Sequence, residues 1–272
     1  VAAPLSPQIA ERIARFPGQI SLAASDLDHD WHLAFRADNT VPSASVIKLL
    51  ILAELYRQAS RGALSLEAQV SIEQEHVVEG SGVLRWLSFG LRFTVRDLAT
   101  LMIIVSDNIA SNRLIDILGF AAINHLASQL GLQQTALRRP FWGRAARADE
   151  PENTMSASDA VALLRALECG MIVPEGPLLD EVRTILRAQQ FQECIPACLP
   201  PAVVVGNKTG SLPGIAHDAA ILWAPQGRLA LAIFTTGLTD EHRGRCEISE
   251  IARACYNAWI AELYGEENER GR

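Results

Sequence analysis

The pattern of apolar and polar positions divides this chain into strand-forming ends and a helix-forming middle. "SPQIAERIARF", residues 6–16, carries its apolar residues at helical spacing. "GQISLAASDL" and "WHLAFRAD" then alternate in steps of two on either side of the acidic turn "DHD", which predicts a hairpin. From residue 43 to about 190 the spacing is helical. "SVIKLLILAELYRQAS", "TVRDLATLMIIV", "IASNRLIDILG", "FAAINHLASQLG", "SASDAVALLRALECG" and "PLLDEVRTILRAQQ" each place apolar residues on one face, and Gly119, Gly131 and Gly170 follow helices as C-terminal caps. Strands return in "AVVVGNKTG", "DAAILWAP" and "RLALAIFTTG". The last segment, "EISEIARACYNAWIAELYG", repeats Ile251, Cys255 and Trp259 every four residues, the mark of a buried helix face. This order predicts an α/β (α+β) fold in which both chain ends build an antiparallel sheet flanked by helices, with an all-helical lobe inserted between them. The expected division is a sheet lobe of residues 1–42 and 200–272 and a helical lobe of residues 43–199, with an active site between the two.

Composition narrows the partners. The 272 residues can bury a large core, and the net charge of 24 − 31 = −7 gives no reason to expect nucleic acid or an anionic membrane. "RRPFWGRAAR", residues 138–147, is the local exception and reads as a solvated loop covering a groove. Apolar runs such as "LMIIV" are too short to span a bilayer. The chain starts at Val1 without a charged and apolar leader, so the compartment is periplasmic or extracellular if a signal peptide has been removed and cytoplasmic otherwise. The five cysteines are odd in number. Cys194 and Cys198 in "CIPAC" either pair or stay reduced, and the two-pair spacing of a zinc site is missing. Asp26, Asp28, His29, Asp30 and His32 crowd into "DLDHDWH", but at a hairpin turn aspartates satisfy backbone groups rather than a metal. A monomer without metal or cofactor, acting on a small molecule, is the expectation.

The sharpest chemical signal is the use of lysine. Of the 24 lysines and arginines only Lys48 and Lys208 are lysine, so an amine is kept at two positions in a chain that otherwise uses guanidinium. Ser45 and Lys48 lie three apart on a predicted helix, which brings both side chains to one face. A serine hydroxyl needs a base to become a nucleophile. A lysine among Ile47, Leu49 and Leu50 can lose its proton through burial, whereas an arginine cannot. Ser106-Asp107-Asn108 follows at a junction between two predicted helices, and Lys208-Thr209-Gly210 ends a predicted strand. Alone, Asp107 could be a helix cap and Gly210 a strand end; together the three runs consume both lysines.

With S-x-x-K, S-D-N and K-T-G in this order, 61 residues from Ser45 to Ser106 and 102 from Ser106 to Lys208, the chain resembles the penicillin-recognising serine hydrolases, in particular the class A β-lactamase-like family. The resemblance covers nearly the whole chain and implies a β-lactamase/DD-peptidase-like fold. It implies that Ser45 is the nucleophile, Lys48 its general base or proton relay, and Ser106 a proton shuttle to the leaving nitrogen. Asn108 would bind a substrate amide, and Lys208 and Thr209 of the Lys208-Thr209-Gly210 run a substrate carboxylate. The backbone N–H groups of Ser45 and Ser211 would form the oxyanion hole, and His217 falls where many members place a carboxylate-binding arginine. The implied activity is acylation of Ser45 and hydrolysis of the acyl-enzyme, with a β-lactam amide as the first expected substrate. An esterase, a D-peptidase-like hydrolase or a penicillin-binding sensor module are the alternatives.

Two departures stand out. Class A members carry a loop glutamate in an E-x-x-L-N pattern that activates water for release of the acyl group. Counting from the neighbouring segments brings that position to Arg139-Pro140, where no carboxylate stands, and "EPEN" at 150–153 fits only after a shift of roughly ten residues. Asp149, Glu150 and Glu152 are therefore expected to be solvated loop charges. The second departure is "GSG" at 80–82, where an aromatic residue often stands, which predicts a wider pocket; its adjacent glycines do not make a nucleophile elbow.

Overall fold

The structure is a computed structural model that describes residues 3–270, with side chains described as far as residue 263. α1 (Pro7–Ala14) starts with Ser6 accepting from Ile9 N and with Pro7 at its first position, where no amide hydrogen is needed. β1 (Gln19–Asp26) and β2 (His32–Phe35) form the predicted hairpin. The three late strands are β7 (Val204–Leu212), β8 (Ile215–Ala224) and β9 (Gly227–Thr236). All five join in one antiparallel sheet of order β2-β1-β9-β8-β7, so β1 lies beside β9 and the two chain ends share the sheet.

Between β2 and β7 lie α2 (Lys48–Ser60), α3 (Val95–Ile104), α4 (Asn108–Leu118), α5 (Phe120–Gln129), α6 (Ala157–Glu168) and α7 (Pro177–Arg187). α2 is buried on all sides from Lys48 to Tyr56, the pattern of a central core helix. α3 begins with a reciprocal Thr94–Asp97 cap, and Ser156 caps α6 through Asp159 N. Two short ribbons were not evident in the sequence: β4 (Gln69–Ile72) with β5 (Leu91–Thr94), and β3 (Val41–Pro42) with β6 (Thr154–Met155).

Strand alternation gives the sheet two different faces. Ala23, Ala219, Ala230 and Ala232 face the helical side, and these small side chains let α6 lie close against β1, β8 and β9. The opposite face presents Leu22, Leu222, Leu229, Leu231 and Ile233 to α1 and to α8 (Glu241–Arg270), whose Ile251, Cys255 and Trp259 are fully buried as their spacing predicted. Asp26 at the end of β1 accepts from the backbone N–H groups of Asp28 and His29 and from Trp259 Nε1, so this aspartate ties the hairpin turn to α8. All five cysteines are free thiols. Among the described residues no helix is long and apolar enough to cross a membrane.

Candidate active site

Ser45 stands on a tight turn just ahead of α2 rather than inside the helix. Val46 N donates to Ser43 O, Lys48 N to Ser45 O and Leu49 N to Val46 O, which keeps helical handedness while Lys48 becomes the first residue of α2. The expected three-residue spacing therefore survives on a tighter turn. Ala44, immediately before Ser45, has φ 46°, and Ser106 has φ 56°, a region non-glycine residues rarely occupy. Both strained residues thus sit at the centre of the site. Among the described residues Ser45 Oγ has no hydrogen-bond partner.

The two lysines converge on Ser106. Lys48 Nζ donates to Ser106 O at 2.7 Å and Asn108 Oδ1 at 2.9 Å and lies 3.1 Å from Ser106 Oγ. Lys208 Nζ lies 3.1 Å from the same Oγ and donates to Thr209 O at 2.8 Å. Both lysines are 0 % exposed. Burial first, and the charge of Lys208 second, push the Lys48 amine well below the ordinary lysine range, against a weaker pull from Asp107. Burial also pushes Lys208 down, to about 7, with the buried Asp218 opposing it. A neutral Lys48 amine has two hydrogens and one lone pair. The carbonyl oxygens of Ser106 and Asn108 take the hydrogens, and the lone pair faces the Ser106 hydroxyl.

Backbone groups hold these side chains in place. Asp107 caps α4 through Ala110 N, and its other oxygen accepts from Val83 N and Leu84 N, clamping the 80–84 segment to the junction. Asn108 Nδ2 donates to Glu79 O, leaving its second hydrogen toward the cleft. On β7, a Cβ at Gly210 would lie 3.0 Å from Ala44 Cβ and 3.1 Å from Ser45 N. Glycine here lets the strand edge run directly beside the Ser45 turn. Thr209 and Ser211 line a cavity shared with Ser45, Ser81 and Ser106.

His217 does not face this site. It is 1 % exposed, stacks on Phe234 with centroids 4.5 Å apart, accepts from Thr235 N at Nδ1 and donates from Nε2 to Pro42 O. Burial lowers it to about 4, so it is neutral, and neither ring nitrogen is left for a substrate carboxylate. The expectation of a carboxylate contact at His217 is corrected accordingly. The cation that lines the cavity with Thr209 and Ser211 is Arg245. The sequence reading missed it because it begins the closing helix at residue 247, whereas α8 starts at Glu241.

The opposite wall is the loop of residues 138–153. Asn112, one turn beyond Asn108 on α4, donates to Phe141 O at 2.9 Å and accepts from Phe141 N at 2.8 Å. This fixes the Phe141 ring over Lys48 Nζ, 4.4 Å from the ring centroid. Arg139, 5 % exposed, donates to Glu152 Oε1 through Nε and Nη2, and Asn153 N and Ala146 N donate to the same carboxylate. Glu152 lines the Ser45 cleft together with Arg139, Phe141 and Trp142, so it is not the solvated charge expected of it. Asp149 is exposed, while Glu150 is held by Arg144. The expected wide rim at "GSG" is corrected as well. A Cβ at Gly80 would lie 2.7 Å from Gly143 Cα, and one at Gly143 would lie 2.3 Å from Glu79 O. The loop backbone fills that space.

The family model described as the Beta-lactamase enzyme family matches residues 4–259. The chain belongs to the β-lactamase enzyme family. Beta-lactamase AST-1 of Nocardia asteroides is 30% identical over 255 residues, covering 91% of this chain and 80% of that protein. The crystal structure of a β-lactamase from Sphaerobacter thermophilus superposes with a TM-score of 0.88 at 30% identity, covering 92% of this chain and 96% of that one. The structure of PBP-A superposes with a TM-score of 0.85 at 26% identity, covering 95% and 97%. The β-lactamase-like fold expected from the motifs is the observed one. In this chain the loop presents the apolar ring of Phe141 to Lys48.

Proposed function

We propose that the protein is a serine hydrolase of the class A β-lactamase type, acylated at Ser45 by β-lactam amides and slow to release the acyl group. The observation that carries this reading is Ser106 Oγ standing 3.1 Å from both lysine amines, in a cavity that also holds Ser45. In this reading the Lys48 amine turns its lone pair from Ser106 Oγ toward Ser45 and takes the Ser45 proton as Oγ attacks the carbonyl carbon. The tetrahedral oxygen is held by the N–H groups of Ser45 and Ser211. Collapse breaks the carbon–nitrogen bond, and Ser106 delivers the proton from Lys48 to the leaving nitrogen. Asn108 binds the acyl amide, and Lys208 and Thr209 hold the carboxylate, with Gly210 allowing the close strand approach. The reaction lies between the sheet lobe of residues 1–42 and 200–272 and the helical lobe of residues 43–199.

Release needs a base aimed at water. Phe141 cannot serve, and Glu152, the one carboxylate among the described residues lining that cleft, already accepts from four donors. This supports a long-lived acyl-enzyme. The test is intact mass against time with a simple penicillin. A gain of one ligand mass that decays over many minutes is expected. An adduct that returns to baseline within seconds would overturn slow release. No adduct with penicillins but turnover of simple esters or D-amino-acid peptides would move the substrate class.

A further inference from the structure

The cavity on the sheet side of Ser45 has a volume of about 320 Å³, and its charged lining residues are Glu193, Glu241 and Arg245. Arg245 makes a loose ion pair of 3.7 Å with Glu241, and Glu241 also accepts from Gly214 N. Glu193 is exposed and, among the described residues, has neither a hydrogen bond nor an ion pair. Cys194 lies in the same cavity wall, and the charges of both Arg245 and Glu193 act on its thiol. Lys208 is set deeper, with its amine bound to Thr209 O and Ser106 Oγ.

The lining of this cavity therefore carries one guanidinium and two carboxylates, a net charge of 1 − 2 = −1. A leaving group bearing only a carboxylate gains from Arg245 but meets Glu193 uncompensated. A leaving group that also bears a cation meets a partner for each charge. We infer that the leaving-group side of this site selects zwitterionic substrates, with the carboxylate on Thr209, Ser211 and Arg245 and an ammonium, pyridinium or other cationic substituent beside Glu193. The inference rests on the proposed acylation of Ser45 and specifies its substrate class.

The test uses two cephalosporins with the same acyl group, one with a pyridinium and one with a neutral acetoxy substituent on the six-membered ring. Acylation rates of the full chain are followed by intact mass at low ionic strength. Intrinsic reactivity differs between the two compounds, so the readout is how their rate ratio changes between wild type and variant. Glu193→Gln is expected to lower the cationic-to-neutral ratio about five-fold, Glu193→Lys to lower it further, and 0.5 M salt to shrink the difference. An unchanged ratio in both variants, with both compounds still labelling Ser45, overturns the inference and leaves the proposed function standing. No adduct from either cephalosporin or from penicillins overturns both.

Discussion

The two walls of the Ser45 cleft are built on opposite plans. On one wall the turn before α2, the α3–α4 junction and β7 each bring a short polar run to Ser106. On the other, the 138–153 loop contains no helix and is held by side chains, Asn112 on Phe141 and Arg139 on Glu152, and by the close backbone approach of Gly143 to Glu79. In the proposed mechanism the first wall holds the groups that form the acyl-enzyme, and regular elements fix them. The second determines what faces the acyl-enzyme afterwards. It presents the Phe141 ring to Lys48, and none of the hydrogen bonds of Ser106 comes from it. In this fold the formation and the release of an acyl-enzyme are therefore separable in structure.

Breaking the first wall gives the largest effects. Ser45→Ala is expected to abolish labelling by penicillin in intact-mass spectra while the thermal melt stays within a few degrees of wild type. Lys48→Arg should slow acylation about 10³-fold although it keeps a cationic side chain, since only the amine can act as base. A melt run alongside separates loss of the base from loss of packing.

The second wall is tested by giving it what it lacks. Phe141→Glu places a carboxylate where Asn112 holds the backbone beside Lys48, and it is expected to shorten the adduct lifetime about 10- to 100-fold. Pre-steady-state acylation should change much less, and an unchanged lifetime would mean that water is activated elsewhere.

Smaller effects come from the buried titrating groups. Acylation needs Lys48 neutral and Lys208 charged, so its rate should rise with pH on the acid side and fall as pH passes about 7, where Lys208 loses its proton. In Lys208→Arg the basic limb should move to higher pH, because a guanidinium stays charged. His217 affects stability instead. It is buried neutral, at about 4 against 6.5 for an ordinary histidine, so the unfolded chain binds its proton first as pH falls. Stability from this residue is intact above 6.5 and is lost progressively down to about 4, by about 3 kcal/mol. Chemical denaturation across that window should show a shallower slope in His217→Gln.

Sequence alone exposed the first wall far better than the second. S-x-x-K reads out directly because residues three apart share a face on a helix or on the tighter turn found here, and period-two strands at both ends made the sheet legible. The loop has no period, so its register had to be counted from its neighbours, and the count fell on Arg139-Pro140, next to the Phe141 whose ring faces Lys48. Asn112 was the overlooked signal: an asparagine one turn past Asn108 on the same helix face has an amide that can pair with an irregular backbone. The β4–β5 ribbon escaped because each strand is only 4 residues long.

Both lysines of this chain are fully buried beside Ser106, so the folded surface offers amine-directed reagents no lysine side chain. Of the amines in this chain, succinimidyl esters or reductive methylation should mark only the α-amino group while the protein is folded. Any lysine modification then records the moments when the cleft wall opens, a built-in clock for breathing of the active site that needs no engineered probe.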